Sequence, residues 1–213
     1  MALTLPCISI YHATTLTIYY LVDIAMSLKL QVIICSTRPG RVGPSVANWF
    51  AEFAAKHEEF DTTLVDLADF DLPVYDEPQH PRLQDYQHEH TKRWSASVAA
   101  ADAYVFVTPE YNYCPPPSLI NALNYVYNEW NYKPCGFVSY GGVSGGLRSV
   151  QVAKQLATTL KMMPMVEGVG IPMVASLLDD NKVFTSNSHI DSSATTMLTE
   201  LKKWAVALKP MRG

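Results

Sequence analysis

Within one short stretch, Ser36, Thr37, Arg38 and Arg41 bring together two hydroxyls and two guanidinium groups, with Gly40 and Gly43 set among them. Hydroxyls and guanidiniums that converge on one point bind an anion, and a planar, always-charged fork matches the paired oxygens of a phosphate or a carboxylate. The chain on either side says how they are held. Leu30-Gln31-Val32-Ile33-Ile34-Cys35 reads as a buried strand, and Val46, Trp49, Phe50, Phe53 and Ala54 follow the i, i+3, i+4, i+7 spacing of a helix with one apolar face. A loop between the carboxyl end of a strand and the amino end of a helix collects unpaired N–H groups and the positive end of the helix dipole. Ser36, Thr37, Arg38, Arg41, Val42 and Gly43 are therefore read as a phosphate seat. Without a ligand, the same residues would make an ordinary solvated turn.

What is missing narrows the ligand. No Gly-Lys-Ser/Thr is present, which disfavours a loop whose lysine reaches terminal phosphates, and Gly40 and Gly43 form only a fragment of the dinucleotide fingerprint, although Asp66 lies where a ribose-binding acid would sit.

Strand openings near residues 30, 62, 103, 134 and 164 recur at the interval of βαβ units, and the run Ala103 to Thr108 is apolar throughout, as in strands covered on both faces. The spacing predicts a parallel sheet between two layers of helices. Helices are expected from about Gln84 to Ala100, from Leu119 to Trp130, and from Leu147 to Leu160. Ligands of such sheets bind beyond the carboxyl ends of the strands. The second loop there is Pro109-Glu110-Tyr111-Asn112-Tyr113-Cys114, followed by three prolines, and the third is Ser139-Tyr140-Gly141-Gly142-Val143-Ser144-Gly145-Gly146. Six of the ten glycines fall in the first and third loops, which implies unusual dihedrals or close approach of backbone to a ligand. One loop suited to phosphate, one flat and aromatic, and one rich in amides together describe a flavin mononucleotide (FMN) site. Taken singly, the second would be a surface turn and the third a helix cap.

The bulk properties are consistent with that reading. A chain of 213 residues with net charge -4 and no basic run is unsuited to nucleic acid. Cys7, Cys35, Cys114 and Cys135 are scattered with no paired spacing, as in a reducing compartment, so a cytoplasmic location is expected. His80, His88 and His90 lack a shared helical face, and no metal is expected. Residues 1–27 carry no Lys or Arg and an apolar run broken by Ser9, His12 and several threonines. Neither a secretory signal nor a membrane span fits this pattern. A poorly ordered extension is expected there, with Met26 an alternative start, ahead of one domain over 28–213.

Four segments taken in order resemble the NADPH-dependent FMN reductase-like family: Ser36 to Arg41, Asp71 to Pro78, Pro109 to Asn112, and Ser139 to Gly146. The resemblance runs from about Lys29 to Lys209. It implies a flavodoxin-like fold, a doubly wound five-stranded parallel sheet in strand order 2-1-3-4-5. It also implies FMN as cofactor, NADPH or NADH as co-substrate, and a small acceptor such as a quinone, an azo compound, free flavin or a metal oxyanion. Position by position, Ser36, Arg38 and the amides through Gly43 would hold the phosphate. Pro109, Glu110, Tyr111 and Asn112 would line the ring, and Ser139, Tyr140, Gly141 and Gly142 would border its pyrimidine end. Members form dimers or dimers of dimers, with the Leu119–Trp130 helix a candidate contact. The chain departs from the family where a Lys and an Asp commonly stand, having Ile120 and Asn124, and it has Cys114 where a smaller residue is usual. No catalytic side chain is implied, because the chemistry is the cofactor's. The competing reading is a non-enzymatic electron carrier that docks on protein partners. Such carriers are usually strongly acidic, and a charge of -4 is mild.

Overall fold

The computed structural model describes residues 27–57 and 59–212. The expected N-terminal extension thus falls almost wholly outside the described residues. A parallel sheet occupies the middle of the protein. Its strands are β1 (Leu28–Ile34), β2 (Phe60–Asp66), β3 (Ala103–Pro109), β4 (Pro134–Tyr140), β5 (Met163–Pro164) and β6 (Val169–Ile171), in the order β2-β1-β3-β4-β5 with β6 also on β4. Every residue of β3 and β4 is buried, which explains their largely apolar sequence.

Alternation along the strands divides the core between two helical layers. Leu30, Val32 and Ile34 of β1, with Val105 and Val107 of β3, pack under α1 (Gly43–Ala55) and α5 (Ser188–Leu208). Ile33, Tyr104, Phe106 and Phe137 face the other way, under α2 (Glu89–Ala99), α3 (Pro117–Tyr125) and α4 (Leu147–Thr159). The three layers and the strand order agree with expectation.

Three boundaries differ from the sequence reading. The expected helix from Gln84 begins only at Glu89. The buried Glu77 carboxylate accepts the N–H groups of Gln87 at 2.8 Å and His88 at 3.0 Å, which holds the chain extended up to the helix start. The helix expected to reach Trp130 ends at Tyr125, Val126 being extended, and a short turn over Asn128–Trp130 follows. That break carries Trp130 into an aromatic cluster, its ring 4.9 Å from Tyr104 and 5.8 Å from Trp94. Last, the fifth strand position is shared by the two short strands β5 and β6.

The proline-punctuated segment after β2 lies on α3. Tyr75 donates its N–H to Asn121 Oδ1 at 3.0 Å, and the Tyr125 hydroxyl donates to the Pro73 carbonyl at 3.0 Å. His88 and His90 stack 5.2 Å apart beside Asp76. Among the described residues, no three ligating side chains are arranged to hold a metal, and no helix is long and apolar enough to cross a membrane.

Candidate functional site

The carboxyl ends of β1, β3 and β4 are side by side, because Ile34 pairs with Val107 and Val107 with Val138. The three loops that leave them therefore share one rim. They enclose a cavity of about 170 Å3 whose wall includes Arg38, Val42, Pro109, Tyr111, Tyr140 and Gly141. That volume is below the roughly 300–1,000 Å3 of an enclosed ligand pocket. A ligand seated here keeps one side open.

The first loop is built on a buried hydroxyl pair. Ser36 Oγ lies 3.2 Å from the Tyr140 hydroxyl, and both residues are buried. Burial pushes the Tyr140 phenol well above its ordinary pKa, against the lowering pull of the Ser36 hydrogen bond, so the hydroxyl stays protonated. Gly43 packs onto this pair. A Cβ there would fall 2.6 Å from Ser36 Oγ and 2.9 Å from the Tyr140 hydroxyl. The helix α1 that Gly43 begins has no side-chain cap and no acidic residue in its first turn. Its amino end therefore keeps its positive character for a ligand. Arg38 is exposed, and its guanidinium makes one hydrogen bond, from Nη1 to the neighbouring Pro39 carbonyl at 3.3 Å. Arg41 is placed differently: it pairs with Asp66 at the end of β2, while Asp66 Oδ1 also accepts the Ala68 N–H at 2.9 Å. Thr37 opens onto a second, larger cavity of about 790 Å3, shared with Leu72, Val74, Pro117 and Ile120.

The second loop forms a two-residue hairpin. Tyr111 and Cys114 exchange both backbone hydrogen bonds at 2.9 Å, and Asn112 and Tyr113 between them have φ of +50° and +70°. Such a turn needs left-handed backbone at both central positions, and asparagine accepts it far more readily than tyrosine. Tyr113 is 64% exposed, and the Arg148 guanidinium stands 4.1 Å over its ring. Glu110, just before the turn, points its carboxylate away from the hairpin and into the third loop. It accepts from the Ser144 hydroxyl at 2.9 Å, from the Arg148 N–H at 3.1 Å and from the Arg148 guanidinium at 3.0 Å. Burial raises the pKa of the Glu110 carboxyl, but these hydrogen bonds and the Arg148 charge together outweigh it and hold the group below its ordinary value.

The third loop is shaped by close packing. Gly146, with φ of +81°, leaves no room for a side chain, since a Cβ would lie 2.9 Å from Tyr140 N and 3.0 Å from its carbonyl oxygen. Ser139 donates to the Gly145 carbonyl at 2.8 Å and so braces the loop from below. The carbonyls of Gly141 and Gly142 accept the N–H groups of Val174 at 3.1 Å and Met173 at 2.9 Å. This suture brings Val174 into the cavity wall. The Gly141 N–H, expected to face a ligand, is given to the Ile171 carbonyl at 3.3 Å, because the loop continues the pairing of β4 with β6. Among the described residues, the N–H groups of Asn112 and Gly142 have no partner.

The structure thus gathers Ser36, Arg38, Val42, Gly43, Pro109, Glu110, Tyr111, Tyr140 and Gly141 at one rim, with Asn112 and Gly142 next to it in the chain and Ser139 bracing it from below, and sends Arg41 and Thr37 elsewhere. Val174 was not foreseen, since nothing near it in sequence marks it and only the exit from β6 brings it to the rim. The donor set suits FMN: a cradle with the N–H groups of the loop through Gly43 and a guanidinium for a phosphate, flat walls for a ring, and unpaired N–H groups for ring heteroatoms.

Comparison with known proteins agrees. Residues 28–175 match the family model described as NADPH-dependent FMN reductase. The chain belongs to the NADPH-dependent FMN reductase family. Over 177 residues, which are 82% of this chain and 86% of the relative, it is 41% identical to an NAD(P)H-dependent FMN reductase of Schizosaccharomyces pombe. It is 37% identical, over 69% of this chain and 76% of the relative, to an NAD(P)H-dependent FMN reductase of a Nectria species. Among solved structures, the flavoenzyme NAD(P)H:(acceptor) oxidoreductase FerB from Paracoccus denitrificans matches with a TM-score of 0.68 at 20% identity, covering 84% of this chain and 98% of that one. That likeness is one of fold.

Proposed function

We propose that this member of the NADPH-dependent FMN reductase family seats FMN across the three loops and reduces a small acceptor, such as a quinone, at the expense of NADPH or NADH. The observation that carries the reading is the single cavity walled by Arg38, Tyr111 and Tyr140, one residue from each loop, over the buried Ser36–Gly43–Tyr140 cradle. When bound, FMN supplies the chemistry, taking hydride from the nicotinamide and passing electrons to the acceptor.

The work of the chain is to bind and orient. Arg38 contributes the charge at the phosphate, with the Ser36 hydroxyl and the N–H groups of the loop through Gly43 beside it. Pro109 and Tyr111 offer flat walls to the ring, while the unpaired N–H groups of Asn112 and Gly142 donate to its polar edge. Donors fixed beforehand cost no reorganisation when charge develops on the ring. Arg41 supports the loop through Asp66 and does not touch the phosphate.

The open side of the cavity and the larger one beside Thr37 suit a second copy of the chain. Val74, 88% exposed, and Ile120 would be covered there, which supports the reading of a homodimer or dimer of dimers. The reading places the protein in the cytoplasm, which fits the free thiols of Cys35, Cys114 and Cys135.

The test is the visible spectrum of the purified protein after FMN is added and the excess removed by gel filtration. A retained flavin spectrum that bleaches anaerobically with NADPH is the expected result. A colourless protein that keeps no FMN overturns the assignment.

A further inference from the structure

The Glu110 side chain is only 9% exposed, and its hydrogen bonds lead to the third loop and to α4 rather than across the cavity that the residue helps to wall. Its three hydrogen bonds go to Ser144 in the third loop and to Arg148 in the first turn of α4. The helix α4 has no side-chain cap from Gly146, the residue before it. Glu110 therefore supplies the negative group at that helix start from outside the helix. Arg148 in turn lies over Tyr113, and Tyr113 with Asn112 forms the left-handed pair at the hairpin tip. Two consecutive non-glycine residues with positive φ are uphill and persist only where the surroundings determine them. Here the surroundings are the carboxylate before the turn and the guanidinium over it.

From this arrangement we propose that Glu110 is a positioning residue for the flavin. Without touching the ring, it locks the 111–114 hairpin to the third loop and so fixes the separation of the Asn112 and Gly142 amides that address the ring's polar edge. The proposal rests on the FMN reading above. It assigns the glutamate of the second loop a role between loops, and it assigns Arg148 to the same lock, where its charge is spent on Glu110 and its plane on Tyr113.

The test compares the full-length protein with Glu110→Gln, which keeps the volume and one acceptor but removes the charge. Three quantities are read: backbone amide exchange of residues 111–114 in the flavin-free protein, the FMN dissociation constant by quenching of flavin fluorescence, and the visible spectrum and midpoint potential of bound FMN. Exchange at the hairpin is expected to rise several-fold. FMN affinity should fall about 3- to 10-fold, the worth of one misaligned neutral hydrogen bond. The potential should move positive, because the wall loses one negative charge and Arg148 is left unpaired. Faster exchange with an unchanged dissociation constant, spectrum and potential would make Glu110 merely structural and overturn the proposal. Unchanged exchange overturns the lock itself. Should Glu110→Gln fail to fold, Ser144→Ala removes one of the three bonds while keeping the charge. It should move exchange and affinity in the same direction by less, and no change in either is equally fatal. If the unaltered protein binds no FMN, the functional reading falls, and the exchange data still report on the lock.

Discussion

Replacing Gly43 by alanine sets two ordinary effects against each other. Alanine restricts the unfolded chain and favours helix, which by itself stabilises a compatible site by about 0.4–1 kcal/mol. The conformation is compatible, because Gly43 is not among the residues with positive φ. The space is not. The new methyl would fall 2.6 Å from Ser36 Oγ, 2.9 Å from the Tyr140 hydroxyl and 3.2 Å from Ile34 Cγ2. Ser36 can rotate its hydroxyl away, whereas the Tyr140 ring is buried at the end of a central strand and Ile34 is a core residue. Overpacking of this kind costs about 1–3 kcal/mol, so the net change is a loss of about 1–2 kcal/mol. For a domain of this size, that lowers Tm by roughly 3–6 °C. The assay is the thermal melt of the flavin-free protein, repeated in Tyr140→Phe and in the double variant. Removing the hydroxyl relieves the closest rigid contact, so the double variant should lose less than the sum of the singles by about 1 kcal/mol. A higher Tm in Gly43→Ala, or strict additivity in the cycle, would refute the cradle.

The remaining predictions concern the two arginines and the dependence on pH. Arg38→Ala should weaken FMN binding about 10- to 100-fold, the worth of a charge-assisted hydrogen bond, with little change in Tm. Arg41→Ala should do the reverse, lowering stability by about 1–2 kcal/mol through its half-buried partner Asp66 while leaving FMN affinity within about threefold; isothermal titration and melts separate the two. In acid, burial raises the carboxyls of Asp76, Glu77 and Glu110, but hydrogen bonds and nearby positive charge hold all three below their ordinary values. The stability they contribute is whole above about pH 4.5 and is lost as pH falls through their folded values. At the alkaline end, burial lowers Lys133 to about 8. Between pH 8 and about 10 the unfolded chain holds a proton that the folded chain has released, so Tm should rise across that window. A Tm flat from pH 8 to 10 would remove Lys133 from the balance.

Much of the frame was legible because it obeys simple periodicities. Strands covered on both faces show as unbroken apolar runs, and β1, β3 and β4 each begin within two residues of the openings read from the sequence. The rim was legible for a related reason, since loops at the carboxyl ends of adjacent parallel strands must be neighbours. What could not be read was set by contacts between residues far apart in the chain. Helix periodicity cannot reveal that Glu77 takes up the amides of Gln87 and His88, nor that Trp130 must leave a helix to join Trp94 and Tyr104. Similarly, Arg41 and Arg38 look alike in sequence, and only the position of Asp66 at the end of the neighbouring strand separates their roles.

The Ser36–Tyr140 contact closes the cradle across 104 residues of chain. On a ribosome adding about 5–20 residues per second, the first loop therefore waits about 5–20 s before the strand that ends in Tyr140 has even been made. Val174 completes the wall later still. Until then the glycines and arginines of the first loop have no floor beneath them, and the nascent chain can form α1 against β1 but cannot yet select its ligand. On the proposed reading, the FMN seat is complete only in the last stage of folding, and added FMN is expected to raise the yield of finished protein rather than the speed with which folding begins.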